Sequence, residues 1–495
     1  MEGLAAAEDS ISRDDLMLAW MLAWPLSRFF RKPKPQLRLI RAKYDAAQTT
    51  AENQRHWANA DALSANAANS AAVRAVLRNR TRYEVSNNAY AAGIVQTLAN
   101  YTIGTGPRLQ MRLDDEEANN RIERLWTKWA KQIRLAEKLR TMRIARAVDG
   151  EAFALLITNG RIGPVSLDLR LVEADQVTDQ TLLPEQEVDG ILFDSVGNPI
   201  EYHVLKDHPG SLRWNPKADF ERVPAESMIH WFRADRPGQA RGIPEFTPVL
   251  GLFAQLRRYT MAVLGAAETA ASFAALLYTD LPPANGVEDA EAWEEIPLQR
   301  SGMLTVPAGW KVVQLQAEQP STTYPDFVRQ LLQEIGRAFG MPPGIVMGNF
   351  SGYNYASGRL DLQVFLRAIR VTQAEIERIV LDRLLEAWFD EAVLVRNLLP
   401  EQIGPVEDLP HQWFWDAVPH VDPQAEANAA ATLLAVNATT LAQEYGKLGF
   451  DWEEALRQRA KEKALMQELG LEAGGPGAAR ESQEEPDGEN QDATA

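Results

Sequence analysis

Cysteine is absent from all 495 residues. That gap removes disulfides, thiolate zinc sites, iron–sulfur clusters and cysteine nucleophiles together, and it fits a reducing compartment. Histidine is scarce. The six are His56, His203, His208, His230, His411 and His420, none paired as H-E-x-x-H and none at zinc-like spacing. Each reads as a surface residue or a hydrogen-bonded core residue. No G-x-x-x-x-G-K-[ST] occurs, so the phosphate-cradling loop of a nucleotide-driven motor is missing. Gly104-Thr105-Gly106 lacks the third glycine of a dinucleotide loop. Gly348-Asn349-Phe350-Ser351-Gly352 has the wrong spacing for a G-x-S-x-G nucleophile elbow.

Positive charge is also in deficit, with 51 basic against 68 acidic residues and a net charge of -17. Phosphate neutralisation needs Lys and Arg, so tight binding along DNA is disfavoured. The balance suits solubility, or a surface that a polyanion slides past. The apolar run 16–26 follows Glu2, Glu8, Asp9, Asp14 and Asp15, whereas a secretion signal needs a basic start. It is too short to span a bilayer. The run 261–278 carries Glu268 and many alanines and reads as a packed helix. Asp149-Gly150-Glu151 sets two carboxylates at a turn into a strand. Nuclease or glycosidase chemistry there would need more acids supplied by the fold, and a turn with a structural acid is the favoured reading.

What is present is an alternation of helical and extended stretches, an α+β pattern. Residues 28–43 hold seven basic residues and no acid, interrupted by Pro33 and Pro35, and read as a basic arm for nucleic acid or an acidic partner, or a solvated linker. Two helices are expected over 58–101, the second about 87–100, stopped by the turn 103–107. A helix over 116–134 places Ile122, Leu125, Trp126 and Trp129 on one face. From Glu151 the period becomes two, and 150–235 reads as a small antiparallel sheet with a hairpin around Asp194-Ser195-Val196-Gly197-Asn198.

Helix returns over 244–278, with small side chains along it. A short helix is expected at 287–295, then a hairpin pairing 301–306 with 311–315. Thr323 is placed to cap a helix over 325–339, ended by Gly340 and Pro342-Pro343. A glycine-rich loop, 344–358, precedes an unbroken helix of roughly 30 residues, ~45 Å, beginning near Arg359. Residues 421–469 are helical with a break at 445–450, and the acidic tail from 473 reads as disordered. Trp126, Trp129, Trp388, Trp413 and Trp415 read as packing residues.

Several short stretches, taken in order, resemble the lambda-like family of tailed-phage portal proteins over about residues 25–470. They are Arg80-Thr81-Arg82 with Asn87-Asn88, the turn 100–107, Asp149-Gly150-Glu151-Ala152-Phe153, Asp189-Gly190-Ile191, and Ile229-His230-Trp231-Phe232. The most specific is 236–244, Arg-Pro-Gly-Gln-Ala-Arg-Gly-Ile-Pro. Tyr353-Asn354-Tyr355-Ala356-Ser357-Gly358-Arg359 is similar to the family's Asn-Tyr-Ser-Ser-x-Arg signature, departing at Ala356 and Gly358.

The resemblance implies a non-enzymatic ring, usually of twelve subunits, at one capsid vertex of the virion, assembled in the host cytoplasm. Double-stranded DNA passes through it without sequence specificity, and neither cofactor nor membrane is involved. It implies partners: the terminase large subunit, capsid and scaffold proteins, then head-completion and tail proteins. Its parts map to an arm (1–40), a wing (41–243 and 359–420), stem helices (244–275 and 323–340), a clip (276–322), a tunnel loop (341–358), a crown (421–472) and a tail (473–495). Asn349, Ser351, Asn354, Ser357 and Arg359 would face the DNA channel. Glu288, Asp289, Glu291, Glu294 and Glu295 would dock the terminase. The alternatives are another virion adaptor or scaffold, or a metal-dependent nuclease.

Overall fold

The structure is a computed structural model and describes residues 54–179, 187–211, 219–272, 276–279, 310–313, 323–400, 410–416, 423–448 and 452–471. The chain divides into two units, residues 1–62 and 63–495. In the first, residues 54–59 form a turn and Trp57 is exposed. The basic arm, the short helix at 287–295 and the acidic tail lie outside the described residues.

The second unit opens with a single helical turn (Ala65–Ala68), followed by α1 (Ala71–Asn87) and α2 (Ala89–Thr102). They are separated by Asn88, whose side-chain oxygen accepts from the Tyr90 and Ala91 N–H groups and so caps α2. Strand β1 (Arg108–Met111) leads to α3 (Glu116–Gln132), capped by Asp115. Helix α4 (Leu135–Asp149) follows and ends at Gly150, φ +92°.

Two antiparallel sheets then form where one was expected. The first has the order β3-β2-β8, from β2 (Glu151–Thr158), β3 (Leu167–Val172) and β8 (Met228–Phe232). The second is β4 (Glu187–Val188), β5 (Ile191–Phe193), β6 (Pro199–Leu205) and β7 (Phe220–Pro224), in that order, with the expected hairpin turn at 194–198. Strand β2 is covered on both sides. Alternation sends Ala152 and Ala154 into a core with α3 and α4, and Phe153 and Leu155 toward Tyr202, Val204 and Val223 of the second sheet.

Helix α5 (Leu250–Ser272) starts later than the sequence pattern suggests and ends sooner. Residues Leu276–Thr279 are instead β9, paired antiparallel with β10 (Trp310–Val313). Residues 310–313 thus pair with this distant strand; residues 301–306, the expected hairpin partner, lie outside the described residues. Helix α6 (Tyr324–Ala338) runs antiparallel to α5, because Phe246 meets Phe339 at 4.8 Å while Tyr259 meets Tyr324 at 5.7 Å. Thr323 occupies its N-cap position without a side-chain capping bond.

A single-turn helix α7 (Pro343–Met347) precedes α8 (Tyr355–Ile376), one wide π turn (Glu377–Leu381) and α9 (Asp382–Leu394). Strand β11 (His411–Phe414) closes on β1. Helices α10 (Pro423–Ala435), α11 (Leu441–Lys447) and α12 (Trp452–Glu468) end the described chain. Trp126, Trp129, Trp388 and Trp413 form one contiguous aromatic core, as packing residues should. A second core joins α2, α5, α6 and α8 through Ile94, Leu98, Phe253, Ile335 and Phe365. No described helix is long and apolar enough to cross a membrane.

Candidate functional site

Helix α1 is built inside out. Arg74, Arg78 and Arg82 recur every fourth residue, so they share one face, and that face turns inward. Arg74 and Arg78 are buried, while Val73, Val76 and Tyr83 are exposed. Burying a guanidinium costs several kcal/mol unless it is paired, and the fold supplies partners from three separate segments. Arg78 bonds Asp175 at 2.9 Å, Arg82 bonds both Asp149 and Asp175 at 2.7 Å, and Arg74 pairs with Asp189.

The centre of this hub is Glu151. Its position at the start of β2 gives it the parity of Phe153 and Leu155, so it points between the two sheets, fully buried. Arg241 grips it through Nε at 2.9 Å and a terminal nitrogen at 2.7 Å, the Gly242 N–H donates at 3.0 Å, and His230 Nε2 donates at 3.2 Å. Burial alone would raise the Glu151 pKa. The charge of Arg241 and the bonds from His230 and Arg241 outweigh it and hold the carboxyl well below the usual range. Arg241 also donates to the carbonyls of Ala174, Val177 and Asp189, so one side chain ties the 236–244 loop to both sheets.

Burial keeps the His230 pKa below its ordinary value despite Glu151, and its ring lies between Phe153 and Phe232 at 4.2 and 4.5 Å. A side chain on Gly242 would meet the Gly150 carbonyl at 2.1 Å, so this crossing of two chain segments requires glycine. Beside the hub, Arg143 and Arg146 share buried Glu245, and Arg146 reaches Glu375 at 3.0 Å, linking α4 to α8.

The Arg-rich helix, Asp149-Gly150-Glu151, Asp189-Gly190, His230 and the 236–244 loop, distant in sequence, thus meet in one place. The arrangement ties these segments together through paired buried charges. Asp149 and Glu151 are each held by an arginine, which leaves neither free for the metal or proton chemistry of a nuclease. Glu173, Asp175 and His208 lie close enough to suggest a cation site. However, His208 Nδ1 accepts the Gly210 N–H at 2.9 Å, which puts the neutral ring's proton on Nε2, facing the carboxylates, and Asp175 already serves two arginines. In that set His208 Nε2 lies 3.4 Å from Glu173 and 3.7 Å from Asp175 without a hydrogen bond to either. His203 bridges Glu187 and Glu201, and His411 lies 3.3 Å from Asp382.

The loop before the long helix is shorter than the sequence suggests. Residues 343–347 are helical and α8 begins at Tyr355, so the loop is 348–354, and Ser357 and Arg359 belong to the helix. Asn354 and Ser357 form a reciprocal capping box: Asn354 Oδ1 accepts the Ser357 N–H at 2.8 Å, and Ser357 Oγ accepts the Asn354 N–H at 3.3 Å. Asn349 Oδ1 accepts the Ser351 N–H at 2.9 Å. The loop is pinned rather than loose. The Tyr353 hydroxyl accepts the Gly344 N–H at 3.0 Å, and a side chain on Gly344 would strike the rings of Phe350 and Tyr353. Phe350 stays exposed at the tip. The acids Glu288, Asp289, Glu291, Glu294 and Glu295 lie outside the described residues.

Comparison with solved structures gives partial matches at low identity. A chain in the neck of a native GTA particle computed with C12 symmetry is 11% identical, with 75% of this chain and 93% of that one aligned and a TM-score of 0.44. A chain in the neck of an empty GTA particle computed with C6 symmetry is 12% identical, over 74% and 92%, with a TM-score of 0.48. One in the virion of a native gene transfer agent particle is 13% identical, over 75% and 92%, at 0.40. The sequence itself is more decisive. The motifs that build the hub and the loop fall within residues 51–373, the stretch that matches the family described as phage portal protein, lambda family, and this protein belongs to that family.

Proposed function

We propose that this portal protein assembles into a closed ring of about a dozen copies at a capsid vertex, through which double-stranded DNA enters and leaves. In this reading α5 and α6 are the stem, and residues 276–322 are the clip that docks the terminase through Glu288, Asp289, Glu291, Glu294 and Glu295. The same clip later receives head-completion and tail proteins, and the outer wing meets capsid and scaffold. The chain acts as a structural channel without catalytic chemistry of its own.

The loop 348–354 faces the channel. The single observation that carries this assignment is its construction: a pinned, solvent-facing turn at the head of α8. The Asn349 amide nitrogen and the Ser351 hydroxyl within it, and the Arg359 guanidinium in the helix just after it, have no partner among the described residues. Such groups offer phosphates weak, exchangeable contacts without reading sequence. Asn354 and Ser357 act one step back, by capping the helix that carries the loop.

Deleting residues 350–352 leaves both the cap and Tyr353 in place. Rings of this variant should assemble normally and package or retain less DNA. Packaging and retention at the wild-type level would remove the loop from the DNA path.

A further inference from the structure

The chain is acidic as a whole, with a net charge of -17, yet one exposed face of it is basic. On α8 and the π turn, Arg359, Arg367, Arg370 and Arg378 are exposed and share one side of the helix, spread over roughly 28 Å at 1.5 Å per residue. None has an ion pair or hydrogen bond among the described residues. The acids of the same stretch are engaged elsewhere: Asp361 lies beside Tyr353, Glu375 pairs with Arg146, and Glu377 accepts from the Trp415 indole. Leu360, Val364 and Val371 are exposed toward one flank of the row, and an arginine is long enough to present its charged head beyond them.

The opposite charge lies at the end of the chain. Residues 481–495, outside the described residues, hold Glu481, Glu484, Glu485, Asp487, Glu489 and Asp492 and no base. From Glu481 to Asp492 an extended chain covers about 36 Å at ~3.3 Å per residue, enough to follow the whole row. Leu471, the last described residue, and Glu481 are ten residues apart, a reach of up to about 33 Å. Helix α12, which leads to this segment, stays near the C-terminal end of the row. Its Arg457 pairs with Glu116 at the start of α3, and α3 shares one core with Ile376 and Val380. Just before it, Gly446 of α11 packs on the Phe414 ring, next to the Trp415 that binds Glu377.

Helix α12 itself has no net charge to offer the acids. Its bases Arg457, Arg459, Lys461 and Lys463 are matched by Glu453, Glu454, Glu462 and Glu468, and both arginines are already paired. We propose that the acidic segment 481–492 docks along the basic face of α8 in the same chain. Exposed ion pairs are individually weak and salt-screened. The tether offsets this by holding the acids at an effective concentration on the order of millimolar. Docked there, the segment denies the arginines to other polyanions, nucleic acid foremost. The inference does not depend on the ring reading.

Because the chain has no cysteine, an introduced pair reports a single contact. Gln363 is exposed within the row, and Ser482 lies in the acidic segment. Under mild oxidation the full-length variant Gln363→Cys with Ser482→Cys should form a bond within one chain, read on a non-reducing gel as a monomer of altered mobility. A control that pairs Ser482→Cys with Asn79→Cys, on the exposed face of α1, should cross-link roughly threefold less or weaker still. Reversing the row with Arg367→Glu and Arg370→Glu should lower the Gln363 yield by about threefold or more, as should raising salt from about 0.05 M to about 0.5 M. Glu484→Ser, Glu485→Ser, Asp487→Ser and Glu489→Ser together should do the same without touching the folded body. A yield that ignores either set of charge changes, or that is equal at Asn79, would overturn the proposal. So would bonds that join two chains, which give the face to a second copy. Absence of any cross-link at Gln363 would overturn it as well, and duplex DNA binding abolished by Arg367→Glu with Arg370→Glu would then assign the face to nucleic acid.

Discussion

Two sets of arginines run along two helices of this protein and meet opposite fates. On α1, Arg74, Arg78 and Arg82 turn inward and are consumed by Asp149, Asp175 and Asp189. On α8, Arg359, Arg367 and Arg370 turn outward and meet nothing among the described residues. The residue type is the same; what differs is whether carboxylates from other segments arrive at the same place. An arginine stripe is therefore neither a surface nor a core signal alone. Its meaning is set by distant acids: where they arrive the guanidinium is buried, and where they do not it stays in water.

The comparison breaks most visibly in stability. Arg241→Ala strands Glu151 as an unpaired buried charge and should cost about 3–5 kcal/mol. Arg367→Ala, on the exposed stripe, should stay within about 0.5 kcal/mol in the monomer. Urea unfolding of the two variants checks this, and equal losses would erase the distinction. Next in size, Gly242→Ala should cost about 1–3 kcal/mol, since the new methyl group drives into the Gly150 carbonyl. Asn354→Ala removes the cap of α8 and should cost about 1 kcal/mol, read as a lowered thermal midpoint.

The smallest effect expected is a pH dependence confined to the buried stripe. The folded-state pKa of His230 is depressed below its ordinary value, so the native state binds fewer protons there. Its contribution is complete above about pH 6.5 and declines as pH falls below it. Glu151, also depressed, contributes fully above about pH 4.3 and loses that contribution only in stronger acid. His230→Gln should flatten the thermal midpoint between pH 7 and 5 and leave the steeper loss below pH 4. An unchanged slope between pH 7 and 5 would take His230 out of the acid response.

Much of this was legible in the sequence where signals are local. The helix stop at 103–107, the helix around Trp126 and Trp129, the hairpin turn at 194–198 and the α6 periodicity all depend on neighbours within a few residues. Helix α4 was not anticipated because Arg143 and Arg146 occupy its buried face, so its apolar period is broken by residues that Glu245 neutralises from afar. The pairing of β10 with β9 joins segments about thirty residues apart, and nothing in either strand names its partner. Helix α8 begins four residues early because Asn354 and Ser357 cap it, an Asn-x-x-Ser variant that leaves Gly358 inside the helix.

Glu151 was read as an acid at a turn. The available signal was parity: it shares the alternation of Phe153 and Leu155, which sends it inward. The motifs marked the right residues for the hub, but only the fold brings them to a common centre. Of the loop, the sequence indicated its place and its glycines; the pinning by Tyr353 on Gly344 needed the structure.

The most direct test of the whole account is the native mass of the purified full-length chain. The account predicts a closed ring of about a dozen identical copies that persists on dilution and shows a central hole in electron micrographs. A monomer at every protein and salt concentration would contradict it.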